Sequence, residues 1–361
     1  VIKDNKISAS QLMFLVIAFL FSDYSIVMPS RNVKQDMWLA FIIAAVIGTI
    51  LITIYLYIYK LNPSKNLIQI LKEHFGSIIG SIIGLFYVWY FLHLAALITR
   101  TSSEYMVVTN YPETPATFIS ILYVLVLAYG IRKGIEVIAR AAGIFVPILI
   151  SLVVLTMFLL ISEYNVKNVL PFLEGGIMPV LKASFSTVTF PFGEAVVFLM
   201  IFPSINKDKE VFKATYSGIF LVSLVLLAII LRDIFALGSD ILNIHVFPPH
   251  TSASLIPSVV LDPIVSVNLL FGGGGATILC MYAAITGIAQ IFNLKEYKVL
   301  VLPISLFVIS LSAWLYDSYP QLVATAAKLH PYYAMPFQII IPIILLIISM
   351  IKNKKTQKSE I

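Results

Sequence analysis

The feature that most restricts this chain is its succession of long apolar runs, each near the roughly 20 residues that a helix needs to cross a bilayer. None shows the ten-residue alternation of a membrane β-strand. Lipid leaves a spanning segment no water to bond its backbone, so every N–H and C=O in these runs must be satisfied within a helix. The composition agrees. Of 361 residues 60% are hydrophobic and 12% are charged, and mean hydropathy is +0.97. A soluble chain would need about 25% charged residues to cover its surface. The expected fold class is an all-α integral membrane bundle, with the lipid bilayer as its surroundings.

The formal charge is +6 and the pI is near 9.1. No nucleic-acid partner is expected, because the basic residues are scattered between apolar runs and form no patch. Cys280 is the only cysteine and lies in an apolar stretch, which excludes an intrachain disulfide and any cysteine metal site. His245 and His250 lack acidic or cysteine companions, so no metal and no cofactor is expected. Five scattered histidines form no catalytic constellation, and the chain does not read as an enzyme. The first apolar segment ends in "VMPSRN" with no small-x-small cleavage pattern, so it reads as a first span rather than a signal peptide. The chain begins at Val1, and a few leading residues are expected before it.

Hydropathy and loop signals give ten spans: Leu12–Met28, Trp38–Tyr59, Ile78–Val108, Ala116–Ile131, Ala142–Ile161, Val180–Phe202, Ala214–Leu237, Pro263–Phe292, Val299–Trp314 and Met335–Ile351. With the N-terminus inside, 17 of the 24 Lys and Arg fall on cytoplasmic segments, so both termini are expected in the cytoplasm. Ten spans divide into five plus five, and an odd number per half inverts the second half relative to the first. The expected organisation is one membrane domain over residues 1–361: a first repeat at 8–163, a second at 176–352, and a basic cytoplasmic tail at 353–361.

In such a repeat spans one and six correspond, and both are interrupted. Span one contains "FSDYS", with Ser22, Asp23, Tyr24 and Ser25, and span six contains "TFPFGE". At 1.5 Å per residue Asp23 lies about 16 Å beyond Leu12 and Glu194 about 21 Å beyond Val180, so both acids fall near mid-membrane. A carboxylate there costs about 2.5–3.5 kcal/mol, which calls for an interior partner, water or a ligand. Pro191 removes a backbone donor and Gly193 permits close approach, so Thr187, Thr189 and Phe190 surround a break whose freed groups can face a solute. The alternative is a kinked span in which Glu194 meets a structural partner, and the Asp23 cluster divides the same way.

In span three Arg100 and Glu104 are four apart and share a helix face, as a gating pair or a structural one. His93 is a packing residue or a proton relay. Glu194 and Asp23 complete the candidates for proton handling or gating. The four glycines of "FGGGGAT" in span eight cost roughly 1 kcal/mol each in a helix. They imply close packing or a distortion beside a cavity. "HVFPPHTSASLIPSV" is too polar to span and reads as an external lid.

Several stretches together resemble the spore germination permease family, the B subunits of germinant receptors, within the amino acid–polyamine–organocation superfamily. They are "KISASQLMFLVIAF", "YPETPATFISILYVLVLAYGIRKGIEVIARAAGIFVPILI", "NVLPFLEGGIMPVLKASFSTVTFPFGEAVVFLMIFP", "FALGSD" and "GIAQIFNLKEYKVLVLP". The resemblance implies a leucine-transporter-like fold with spans one and six discontinuous. It implies a pocket between those breaks and spans three and eight, where Tyr90 and Thr277 are the facing candidates. It also implies an amino acid-type small polar ligand, a membrane A subunit and a lipoprotein C subunit as partners, and residence in the spore inner membrane. The chain departs from the family at Asp23, where an uncharged residue is usual, and at Asp262 and Pro263, where a Glu-Arg pair is common. The reading taken is a nutrient-sensing receptor subunit; the same residues also serve a proton-coupled amino acid permease that transports its ligand, and a ligand-opened ion or water conduit is a third possibility.

Overall fold

The computed structural model describes residues 6–22, 28, 30–256 and 262–359. Among them nine helical stretches are long and apolar enough to cross a bilayer, and Ala9–Phe21 is a shorter apolar helix. These ten match the ten predicted spans in order, and the chain is a multi-pass membrane protein.

Helix α1 (Ala9–Phe21) starts at a capping box. The Ser8 hydroxyl accepts from the Gln11 N–H at 3.2 Å, and the Gln11 side chain accepts from the Ser8 N–H at 2.8 Å. It stops at Ser22, whose backbone angles (φ −14°, ψ −126°) are not helical. Thirteen residues make about 20 Å of helix, short of the ~30 Å hydrocarbon core. Span one is therefore interrupted where "FSDYS" begins. Asp23, Tyr24 and Ser25 lie outside the described residues.

Then follow α2 (Met37–Leu61), the short α3 (Leu67–Phe75), α4 (Ser77–Thr109), α5 (Ala116–Lys133) and α6 (Ile135–Leu159). The turn between α5 and α6 is the single residue Gly134 at φ 98°, a backbone that a side chain would strain. Span five was expected from Ala142 but its helix begins at Ile135, because one left-handed glycine suffices to reverse the chain. Arg140 is accordingly in α6, where it pairs with Glu136 one turn earlier.

Span six opens as α7 (Ile177–Thr187), widens into a π turn at Val188–Phe192 and continues as a 3-10 segment, Gly193–Met200. Helices α8 (Val211–Ile244), the short α9 (Pro248–Ser254), α10 (Asp262–Ile291), α11 (Val301–Trp314), α12 (Tyr319–Met335) and α13 (Ile341–Ser359) complete the chain. Two helices, α3 and α12, were not anticipated. Alpha-3 is too short to span, with Lys72 donating to the Gln290 and Ile291 carbonyls at the end of α10. Alpha-12 is interrupted by lysine, histidine and proline, so its hydropathy falls below that of a span.

Between helices in lipid the hydrophobic effect offers little, so association rests on close packing of small residues. Alpha-1 is gripped in this way. A Cβ on Gly218 of α8 would sit 2.9 Å from Val16, and one on Gly275 of α10 would sit 2.8 Å from the Ala18 Cβ and 3.0 Å from its carbonyl oxygen. Gly275, one of the four span-eight glycines, is thus a packing residue, and a larger side chain there would separate α10 from α1. The two broken spans are also strapped together, since Ile7 N–H donates to the Ser204 carbonyl at 2.7 Å and Asn206 N–H to the Ile7 carbonyl at 2.9 Å. The expected lid segment folds in part as α9, which packs into a separate apolar cluster with Tyr105, Phe247 and Tyr319.

Candidate ligand site at the break in span six

The break centres on Phe190, whose backbone is extended (φ −140°, ψ 112°) inside an otherwise helical stretch. An extended residue cannot continue the i to i−4 ladder, so the carbonyls around it need other donors. Gln338 supplies one. Its amide Nε2 donates to the Thr189 carbonyl at 2.8 Å and to the Tyr90 hydroxyl at 2.7 Å. The Tyr55 hydroxyl closes the other side, 2.7 Å from the Gln338 carbonyl and 3.1 Å from the Gly193 carbonyl. Gly193 is required for this approach, because a Cβ there would lie 2.1 Å from Gln338 Oε1.

This arrangement holds Glu194 in place. The residue is 3% exposed, and its Oε1 lies 3.4 Å from His330 Nε2 of α12. The Phe190 ring meets His330 edge-on at 6.5 Å. A cavity of about 1040 Å³ reaches both Glu194 and His330; Leu94, Ile98 and Thr101 of α4 form one wall, and Arg31, Lys182 and Lys328 also line it. The lysines are exposed. The lining thus combines a buried carboxyl and imidazole with cationic side chains, groups suited to a polar solute.

The remaining candidates fall in different places. Tyr90 lies against the site as an acceptor for Gln338 and stacks on Phe337 at 4.6 Å. The buried hydroxyl of Thr187 has no hydrogen-bond partner among the described residues, while that of Thr189 donates to the Ser186 carbonyl at 2.8 Å. Ser22 is buried at the end of α1. Thr277 lies 3.1 Å from the Tyr123 hydroxyl, outside the cavity lining. His93 packs between Trp89 and Tyr333. Arg100 and Glu104 form their ion pair at 2.7 Å, largely buried. His245 meets Thr251 at 3.2 Å and His250 meets Tyr105 at 3.4 Å.

His330 and Gln338 escaped the sequence reading. His330 lies in a stretch too polar to count as a span. Gln338 left a legible signal, an amide alone in the apolar run "MPFQIIIPIILL", which must find partners inside the bundle.

The spore permease family profile, described as "Spore germination protein", matches residues 6–319. The chain belongs to this family. Among curated relatives, spore germination protein KB of Bacillus subtilis (strain 168) is 28% identical over 98% of this chain and 97% of its own length. Spore germination protein YndE of the same organism is 24% identical, over 81% and 82%. Among solved structures, a nucleobase-cation-symport-1 family transporter in a closed conformation with bromovinylhydantoin bound superposes with TM-score 0.75 at 13% identity, covering 95% of this chain and 78% of that one. MhsT in complex with L-phenylalanine gives 0.67 at 13% identity, covering 96% and 99%. The fold is leucine-transporter-like. Family and fold together place the chain among spore germination proteins built on a transporter scaffold, not among enzymes.

Proposed function

We propose that this chain is the nutrient-sensing, transporter-like subunit of a spore germinant receptor, and that it takes an amino acid-type ligand between broken spans one and six. The observation that carries the reading is Glu194: a carboxylate buried at a helix break, facing an imidazole at 3.4 Å and a cavity of about 1040 Å³. Phe190 lines the same cavity, Gly193, Thr189 and Tyr90 lie around the break through Gln338 and Tyr55, and the reading adds Ser22, Thr187 and, from span one, Asp23, Tyr24 and Ser25. The reading includes two inverted halves, residues 8–163 and 176–352, and cytoplasmic termini in the spore inner membrane. The signal passes to a membrane A subunit and a lipoprotein C subunit. A ligand can drive that signal only through different affinities for two conformations, so tight binding alone does not suffice.

A second reading, proton-coupled amino acid permease, draws on the same Glu194–His330 contact, since both groups exchange protons. Calorimetric or thermal-shift titration of the purified full-length protein with amino acids, nucleosides and sugars identifies the ligand. Uptake into proteoliposomes under a pH gradient then separates the readings: binding without flux supports sensing, and concentrative uptake supports transport. Asp23→Ala is expected to change ligand preference; loss of the protein from the membrane instead would make that acid structural. Unaltered binding curves in both Glu194→Gln and Gly193→Leu, at normal protein levels, would remove span six from the mechanism.

A further inference from the structure

A second cavity, of about 700 Å³, lies between α5 and α6 and has the opposite chemistry. Its walls include Leu122 and Val126 of α5 with Ala141 and Phe145 of α6, and Ala18 and Gly275 line its floor. Among the described residues no charged side chain lines it. Val126 is 71% exposed, so the cleft opens sideways into the hydrocarbon. At 1.5 Å per residue the stretch from Phe118 to Gly130 runs about 18 Å. That length exceeds one leaflet, which is half of the ~30 Å hydrocarbon core.

One end of the cleft is cationic. Arg132 and Lys133 close α5 directly beyond Gly130, and Arg140 follows on α6. The Tyr297 hydroxyl donates to the Ile131 carbonyl at 3.2 Å, which brings Lys295 and Lys298 to the same corner. The acids nearby are Glu136, paired with Arg140, and Glu296. Arg132 and Lys133 form no ion pair among the described residues, although Lys133 sits over the Tyr129 ring at 5.2 Å. Both are exposed.

We propose that this groove binds an anionic phospholipid from the leaflet on the side of Gly134. One acyl chain fills the cleft between α5 and α6, and the phosphate rests on Arg132 and Lys133. The apolar length, the sideways opening and the cationic end suit that molecule together: hydrocarbon for the cleft and a negative charge for Arg132 and Lys133. The groove is separate from the cavity at Glu194, so the proposal does not depend on the ligand reading.

The test uses full-length protein in phosphatidylcholine nanodiscs doped with phosphatidylglycerol that carries a diazirine on one acyl chain. Illumination is expected to place adducts on groove residues of α5 and α6, and unlabelled phosphatidylglycerol should compete far better than phosphatidylcholine. The double change Arg132→Gln with Lys133→Gln, at two exposed positions, should raise the phosphatidylglycerol needed for half labelling by roughly fivefold per charge removed. Ala141→Trp should erase the groove adducts while leaving scattered labelling elsewhere. If the Trp variant is not recovered, the charge change decides alone. Adducts spread evenly over the lipid-facing surface, equal competition by phosphatidylcholine, or labelling indifferent to the charge change would each overturn the proposal.

Discussion

Asp233 and Glu194 are both buried carboxylates on spans of this bundle, and their surroundings differ. Asp233 of α8 is 0% exposed and clamped to its chain neighbour: Arg232 Nη2 and Nε lie 2.7 and 2.8 Å from Asp233 Oδ1. A third guanidinium nitrogen donates to the Thr156 hydroxyl at 3.0 Å, which ties the pair to α6. Glu194, nearly as deeply buried, faces a histidine at 3.4 Å and borders a cavity. A permanent cation at contact distance commits a carboxylate to the fold. Glu194 instead meets an imidazole and borders open volume, the surroundings on which the proposed ligand reading rests. Burial alone does not distinguish the two acids; the identity of the partner and the adjoining space do.

The largest effect expected from this contrast is on stability. Arg232→Ala strands Asp233 as an uncompensated buried charge, which costs about 3–5 kcal/mol. Thermal unfolding in detergent should show it, and Arg232→Met with Asp233→Leu should recover most of the loss because an apolar pair suits the site. A small loss in Arg232→Ala would break the comparison. Gly193→Leu forces a side chain into Gln338 and should abolish ligand response, with overpacking costing about 1–3 kcal/mol. Glu194→Gln keeps shape and removes charge. Its unfolding should be nearly unchanged, while the ligand dose–response moves by about 10- to 100-fold, the scale of a charge-assisted bond worth about 1.5–3 kcal/mol. Thr277→Val deletes one hydroxyl contact with Tyr123, for about 1 kcal/mol, and should leave the dose–response in place.

The smallest expected effect lies outside the membrane. Lys65 at 2.6 Å holds the Glu73 carboxyl below its ordinary value of 4.5. The stability this contributes is present above that value and fades as pH falls through the lower folded one. Because the Glu73 side chain is 36% exposed, solvent screens the pair, and Lys65→Met should only slightly flatten the acid limb of the unfolding profile.

Hydropathy and loop signals read much of this molecule correctly. Ten apolar runs became ten helices, the capping box at Ser8 starts the first, and the span-six interruption falls at Phe190 as "FPFG" implies. The same reading missed α12 and its His330, because polar residues diluted the signal and the helix is recognisable only by what it packs on. Packing turns Thr277, a facing candidate that the resemblance implied, toward Tyr123, while Glu194, the central candidate, borders the cavity.

From its residues alone this chain was committed to lipid, to helices and to helix breaks at defined positions, because unpaired backbone and charge are costly in hydrocarbon and leave a local trace. Which polar groups meet was a matter for the tertiary structure. Gln338 reaches Tyr90 across 248 positions of sequence, and His330 reaches Glu194 from a helix near the far end of the chain. Such contacts depend on how helices cross, and a one-dimensional pattern of apolar and polar residues carries no record of a crossing.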